Sequence, residues 1–533
     1  MSFPDFSSGN VQSQWQRYCE LLWYHEDLEL WLDISRMDIN SLTLEELRPS
    51  FKEAFKAMEE LEKGAVANKD ENRQVGHYWL RTPGIAPNSD VTKSIEDGID
   101  QIDSFSKAVL DGTIQSGNGQ PFNSVLWIGI GGSGLGPVLM VEALQKNEQG
   151  LPFYFVDNVD PQGIAEAITS LGDAITNTLF VVVSKSGGTP EPRIAMEQFR
   201  NHLQKVGGNW SSQAVAITMI DSRLDQLAKQ ENWLETFDLP DWVGGRTSIT
   251  SAVGLLSGGL IGCNIREFLV GASQMDEATR LPETFKNPAA LMAAAWWKAG
   301  EGNGIRDMVV LPYKDRLEVF SRYLQQLVME SLGKKYDRSG NVVSQGLAVY
   351  GNKGSTDQHA YVQQLRDGID NFFVTFIEIL DDSSHLPILN NESPGDFLSG
   401  FLQGTRLALS EGGRQSITIT LRSLNSRTLG ALIALFERTV GLYAELIDIN
   451  AYHQPGVEAG KLAAADILSL QERIEQLLSD GVTRSLSNVQ QAIECDSIES
   501  VFLIIRHLVL NNSEYVIHGS WANPVSLTFT KST

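Results

Sequence analysis

Val125-Leu126-Trp127-Ile128-Gly129-Ile130-Gly131-Gly132-Ser133-Gly134-Leu135-Gly136-Pro137 is a short apolar run that breaks into a loop of glycine and serine. A second stretch repeats the design: Leu179-Phe180-Val181-Val182-Val183 runs into Ser184-Lys185-Ser186-Gly187-Gly188-Thr189-Pro190-Glu191-Pro192. Each apolar run reads as a buried strand. The glycines let the backbone approach an anion closely, and hydroxyls with exposed N–H groups bind it at the N-terminus of the following helix. The loops lie roughly 50 residues apart, the spacing of a strand–helix repeat. One phosphate group gripped from two sides is the expectation.

Outward from these loops, short apolar runs alternate with helical segments. Val125–Ile128, Phe153–Val156, Leu179–Val183 and Ala214–Thr218 read as one series of strands. Asp307–Leu311, Phe372–Phe376 and Ser416–Leu421 read as another. Such alternation predicts an α/β fold of two doubly wound domains, each a mainly parallel sheet flanked by helices. The expected divisions are a helical N-terminal segment over 1–90, a first domain over 91–285, a second over 286–480, and a mixed C-terminal extension over 481–533. Leu42-Thr43-Leu44-Glu45-Glu46-Leu47 looks like a capped helix start. Leu432, Phe436, Val440, Tyr443 and Ile447 fall on one helical stripe, expected in a core or an interdomain seam.

A chain of 533 residues is too long for a single core. Its net charge of −24 argues against broad nucleic-acid binding and against adhesion to anionic membranes. An anionic small ligand remains compatible, because a few local Lys and Arg suffice. Cys19, Cys263 and Cys495 are few and far apart, which points to a reducing compartment without a disulfide framework. Met1-Ser2-Phe3-Pro4-Asp5-Phe6 lacks the basic start of a signal peptide, and no stretch approaches the ~18 apolar residues of a membrane span. A cytoplasmic enzyme is expected.

Taken alone, Gly129, Gly131 and Gly134 satisfy G-x-G-x-x-G after a strand, with Asp157 closing the next strand about 20 residues on, as a dinucleotide site requires. A purely structural tight turn fits equally well. The second loop shifts the balance. Ordinary N-capping accounts for one hydroxyl, whereas Ser184, Ser186 and Thr189 supply three, beside Lys185. Asp241-Trp242-Val243-Gly244-Gly245-Arg246-Thr247-Ser248 places an arginine after paired glycines. It suits an oxyanion or a surface ion pair. Phe320 to Lys334 reads as an amphipathic helix with Gln326 and Glu330 on one face. Glu330, beside Leu327, Val328 and Met329, is either a partly desolvated general base or a solvated surface residue. Gly351 to Ala360 presents His359 after a polar loop, and Gln454-Pro455-Gly456-Val457-Glu458-Ala459-Gly460-Lys461 presents a lysine.

The two loops resemble the sugar isomerase (SIS) domain, which binds phosphosugars. Together these motifs resemble the glucose-6-phosphate isomerase (phosphoglucose isomerase) family in the family's order, from about Ser124 to Lys461. Met329-Glu330-Ser331, Gln358-His359-Ala360 and Gly456-Val457-Glu458-x-x-Lys461 are its most specific parts. The resemblance implies interconversion of glucose 6-phosphate and fructose 6-phosphate through ring opening and a cis-enediol, with no metal or redox cofactor. It implies that Glu330 moves a proton between C2 and C1, that His359 and Lys461 assist ring opening, and that Arg246 stabilises the enediolate. Ser184, Lys185, Ser186 and Thr189 would hold the phosphate with Ser133 beside it, while Gly132, Gly245, Gln326 and Gln454 line the sugar site. It further implies a homodimer, with His359 supplied to the neighbouring subunit. Thr247, His453 and the Ser-Gly-Gly-Thr-Pro loop depart from common family forms and leave the acid–base residues intact. The alternatives are a non-catalytic phosphosugar sensor, an NAD-dependent oxidoreductase built on Gly129–Gly134, and an isomerase that also takes mannose 6-phosphate.

Overall fold

The computed structural model describes residues 6, 10–145, 150–381 and 393–532, with the backbone alone at residues 457 and 458. Residues 1–5, read above for a leader, lie outside the described residues. Two compact units result, Met1–His453 and Gln454–Thr533.

Ser124–Ile128 and Thr178–Val183 are buried at every position and pair in parallel, Trp127 opposite Val181. Their β-branched and aromatic side chains suit a sheet covered on both faces. These strands lie inside a five-stranded, all-parallel sheet. Its order is Phe153–Val156, Ser124–Ile128, Thr178–Val183, Ala214–Thr218, Glu235–Asp238. From Ser124–Ile128 the chain moves to one edge and then returns on the other side at Thr178–Val183. The two glycine-and-serine loops therefore flank a topological switch point, the crevice where open α/β sheets bind ligands. Glu235–Asp238, too short and polar to show as an apolar run, extends the sheet.

A second sheet runs Leu22–His25, Leu30–Arg36, Ser416–Leu421, Phe372–Ile379, Asp307–Pro312, Val349–Tyr350. The last four are parallel, and the first two form an antiparallel hairpin that joins the edge. The segment 1–90 is therefore not helical throughout. The helix Ser41–Glu62 forms as expected, with Asn40 Oδ1 accepting from the Thr43 N–H at 2.9 Å. Leu30, Leu32 and Ile34, however, are fully buried at period two, a strand signal that neighbouring helix formers obscured.

The helix Ser426–Leu446 is buried not along one stripe but on every side from Thr428 to Ala444. It crosses Ile265–Thr279 at close range. A Cβ on Gly430 would lie 2.0 Å from the Phe268 carbonyl oxygen, and one on Gly271 would lie 1.8 Å from that of Arg427. Phe436 packs edge-on against Phe320, ring centroids 5.5 Å apart, so this central helix props the start of the segment that carries Glu330.

The second unit has its own core. Helices Pro455–Leu478, Leu486–Ala492 and Ile498–Asn511 accompany an antiparallel sheet ordered Arg484–Ser485, Thr528–Lys531, Tyr515–His518. Ile474, Leu478, Val489, Val501, Ile505 and Phe529 fill it. Val501, Ile504 and Ile505 are buried on the helix Ile498–Asn511, whereas Leu503 is exposed. Among the described residues no helix is long and apolar enough to cross a membrane.

Candidate active site

Gly131 adopts φ +58° and leads into the helix Gly132–Leu144. A Cβ on Gly132 would stand 2.0 Å from the Gly245 carbonyl oxygen, and one on Gly131 would stand 3.1 Å from Gln326 Nε2. Glycine is required here because two other segments of the same chain close over the loop. Ser248 fixes the junction, its hydroxyl within 2.8 Å of the Gly245 carbonyl and 3.1 Å of the Gly132 carbonyl. The G-x-G-x-x-G pattern thus serves loop-to-loop packing with Gly245 and Gln326.

The second loop turns sharply after its strand. Ser184 is buried, its hydroxyl has no partner among the described residues, and its carbonyl accepts from Thr218 Oγ1 at 2.7 Å. Ser186 Oγ accepts from the Gly188 N–H at 3.2 Å. Thr189 occupies the N-cap of Pro190–Lys205 without making a side-chain cap bond, so its hydroxyl is not spent on the helix. Lys185 reaches across instead. Its ammonium donates to the carbonyls of Asp241 at 2.6 Å and Val243 at 2.8 Å, and so ties this loop to the segment before Arg246. Burial lowers its pKa to about 8, with Asp241 opposing.

Arg246 is 6% exposed on the short helix Gly245–Thr250. Its Nη1 donates to Ala451 O at 2.7 Å and Ser331 Oγ at 3.0 Å, and its Nη2 to His453 O at 3.3 Å. The carboxylate facing it is Glu330, with Oε2 3.8 Å from Nε. Burial lowers the guanidinium pKa to about 10 while Glu330 pulls it up, so Arg246 is a cation at neutral pH.

Glu330 closes a π-helical turn, Gln325–Glu330, that interrupts the amphipathic helix expected from the sequence. Such bulges gather at functional sites. Leu327 and Val328 are buried, Met329 is exposed, and the Glu330 side chain is 31% exposed. The carboxylate is therefore neither in the core nor on the open surface. Sequence reasoning missed two supports. Ser331 accepts from Arg246, and Lys334 donates to the Glu330 carbonyl at 2.5 Å and the Ser331 carbonyl at 2.9 Å. Both stood inside the quoted helix, but an interior lysine four residues past a glutamate reads as a surface pair.

This arrangement places a carboxylate beside a buried cation, with two glycine-and-serine loops flanking the switch point. The phosphoglucose isomerase description matches residues 33–410 and 406–486. The chain is 64% identical over 531 residues to the glucose-6-phosphate isomerase of Synechococcus sp. (strain CC9902), covering all of both chains. The chain belongs to the phosphoglucose isomerase family. The glucose-6-phosphate isomerase of Prochlorococcus marinus (strain MIT 9313) is also 64% identical, over 531 residues, covering 100% of this chain and 96% of that one. The crystal structure of a glucose-6-phosphate isomerase from Chlamydia trachomatis superposes with a TM-score of 0.78 at 27% identity, covering 88% of this chain and 93% of that one.

Of the family residues named from the sequence, the first unit brings Gly132, Gly245, Arg246, Gln326 and Glu330 together. Ser133 lies in the first turn of the helix Gly132–Leu144, where its carbonyl accepts from Trp127 Nε1 at 2.8 Å. His359 ends the short turn Thr356–His359 and is exposed. The turn is pinned by buried Asp357, which accepts from the Asn352 N–H at 2.8 Å and from the Tyr361 hydroxyl. Among the described residues no hydrogen bond or ion pair joins His359 to Glu330 or Arg246. Gln454 and Lys461 belong to the second unit, Gln454 as the N-cap of Pro455–Leu478 and Lys461 in its second turn.

Proposed function

We propose that this chain interconverts glucose 6-phosphate and fructose 6-phosphate, and that the Arg246–Glu330 pairing carries the chemistry. Starting from the aldose, ring opening moves a proton from the C1 hydroxyl to the ring oxygen, with His359 and Lys461 as its handlers. Glu330 then takes the C2 proton as general base. The C2–H bonding pair becomes the C1–C2 double bond of the enediol, and the C1 oxygen takes up the displaced charge and then the proton that the C2 hydroxyl gives up. Glu330 returns its proton to C1 as the C2 hydroxyl becomes the carbonyl. Arg246 stabilises the anionic enediolate, since a preorganised buried cation acts most strongly where charge develops. Ser184, Lys185, Ser186 and Thr189 hold the phosphate with Ser133, and Gly132, Gly245, Gln326 and Gln454 line the sugar.

The exposure of His359 on a pinned turn supports its delivery to the site of a second copy in a homodimer. A location in the cytoplasm fits the three scattered cysteines. The test is a coupled assay of purified protein on fructose 6-phosphate with EDTA present, reading glucose 6-phosphate formed. Turnover upholds the reading without a metal. Phosphosugar binding without turnover favours a sensor.

A further inference from the structure

Lys334 is a lysine in an unusual place. It is 4% exposed, at the start of the strand Lys334–Tyr336, directly after the turn that ends in Glu330. Lysines are almost never buried unless paired, yet among the described residues no carboxylate lies within ion-pair distance of it. Its nitrogen instead donates to the carbonyls of Glu330 at 2.5 Å and Ser331 at 2.9 Å. These are last-turn carbonyls, which a helix end leaves without intrahelical partners.

We propose that Lys334 is a positioning residue of the isomerisation, fixing the main chain of Glu330 and, through Ser331, the guanidinium of Arg246. The inference rests on the reading of Glu330 as base. Two acceptors at hydrogen-bond distance lock the backbone on both sides of the Glu330–Ser331 peptide. Ser331 Oγ in turn receives Arg246 Nη1 at 3.0 Å. One side chain thereby sets both the base and the charge stabiliser, and displacement of such groups by about 1 Å costs on the order of a hundredfold in rate.

The amine suits this task in its neutral form, which keeps two N–H donors for two carbonyls and adds no second cation beside Arg246. Burial, joined by Arg246 and opposed by Glu330, lowers its pKa to about 7. His453, from the segment that receives Arg246 Nη2, also senses its charge. Gln345, paired with it across the strand, is neutral. Protonation places a cation against the Glu330 segment, so kcat falls as pH drops through about 7.

The test compares wild type, Lys334→Met, Lys334→Arg and Glu330→Gln in kcat, KM and the kcat–pH profile. Lys334→Met is expected to lower kcat roughly ten- to a hundredfold with KM changed by less than about threefold. Lys334→Arg keeps donors but stays charged, and its kcat profile is expected to lose the break near pH 7. An inactive Glu330→Gln beside a Lys334→Met with wild-type kcat overturns the inference alone. An active Glu330→Gln overturns the reading of the base as well. Should Lys334→Met fail to fold by circular dichroism, a break near pH 7 that persists in Lys334→Arg overturns the inference.

Discussion

Arg246 and the pair Arg81 and Arg438 are all buried arginines, yet their surroundings differ. In the core, Arg81 lies 2.6 Å from both Asp276 and Glu437, and Arg438 lies 2.8 Å from Asp276 and pairs with Glu62. Arg438 also stacks over the Tyr78 ring at 3.9 Å. Burial works against these two cations, but Asp276 and the partner glutamates outweigh it and their pKa values rise. Arg246 has three neutral acceptors and one carboxylate at 3.8 Å, and burial wins, so its pKa falls. The core arginines are neutralised by the fold. Arg246 is held in place while its charge stays largely unanswered, which suits the enediolate role proposed for it.

Breaking the comparison on the site side gives the largest effect. Arg246→Ala is expected to reduce kcat by about 10²–10³-fold, the range for a lost oxyanion donor. A coupled assay checks this, and a thermal melt within a few degrees of wild type shows that the fold persists. Breaking the core side has the opposite signature. Asp276→Asn leaves two buried guanidiniums short of a counter-charge and is expected to cost about 3–5 kcal/mol of stability, measured by urea denaturation, with kcat of the folded enzyme within about twofold of wild type. If Asp276→Asn instead lowers kcat as Arg246→Ala does, the two regions are not distinct.

Gly132→Ala sharpens the site side. Its Cβ meets the Gly245 carbonyl at 2.0 Å, so the Arg246 segment has to move, and kcat/KM is expected to fall by up to about a hundredfold. The smallest effect is on stability against pH. Lys334 and Lys185 titrate near 7 and 8 in the folded protein, against an ordinary 10.5 when unfolded. Between those values the unfolded chain binds more protons, so the unfolding free energy rises with pH from about 7 to about 10. Denaturation midpoints at pH 7 and pH 9.5 check the slope, which is expected to be shallower in Lys334→Met.

Much of this was legible in the sequence because local signals agreed with the fold. The seven strands read from apolar runs all form, and the loops after two of them flank the switch point. The hairpin Leu22–Arg36 was not legible, because its sheet partner Ser416–Leu421 lies far along the chain. Gly131 and Gly132 were legible as a tight turn, but their packing against Gln326 and Gly245 depends on tertiary closure. Glu330 was singled out through its motif. Its π turn and the Lys334 beneath it were not, since backbone hydrogen-bond shifts leave no periodic trace. The core network of Arg81, Asp276, Glu437 and Arg438 escaped notice because charged residues read as surface until their burial is seen.

The most direct measurement is hydrogen exchange into fructose 6-phosphate and glucose 6-phosphate in D₂O, followed by NMR for wild type and Glu330→Gln. The account predicts deuterium at C1 of the ketose and C2 of the aldose with wild type. With Glu330→Gln it predicts none, while phosphosugar binding persists. Exchange at the wild-type rate in Glu330→Gln would contradict it.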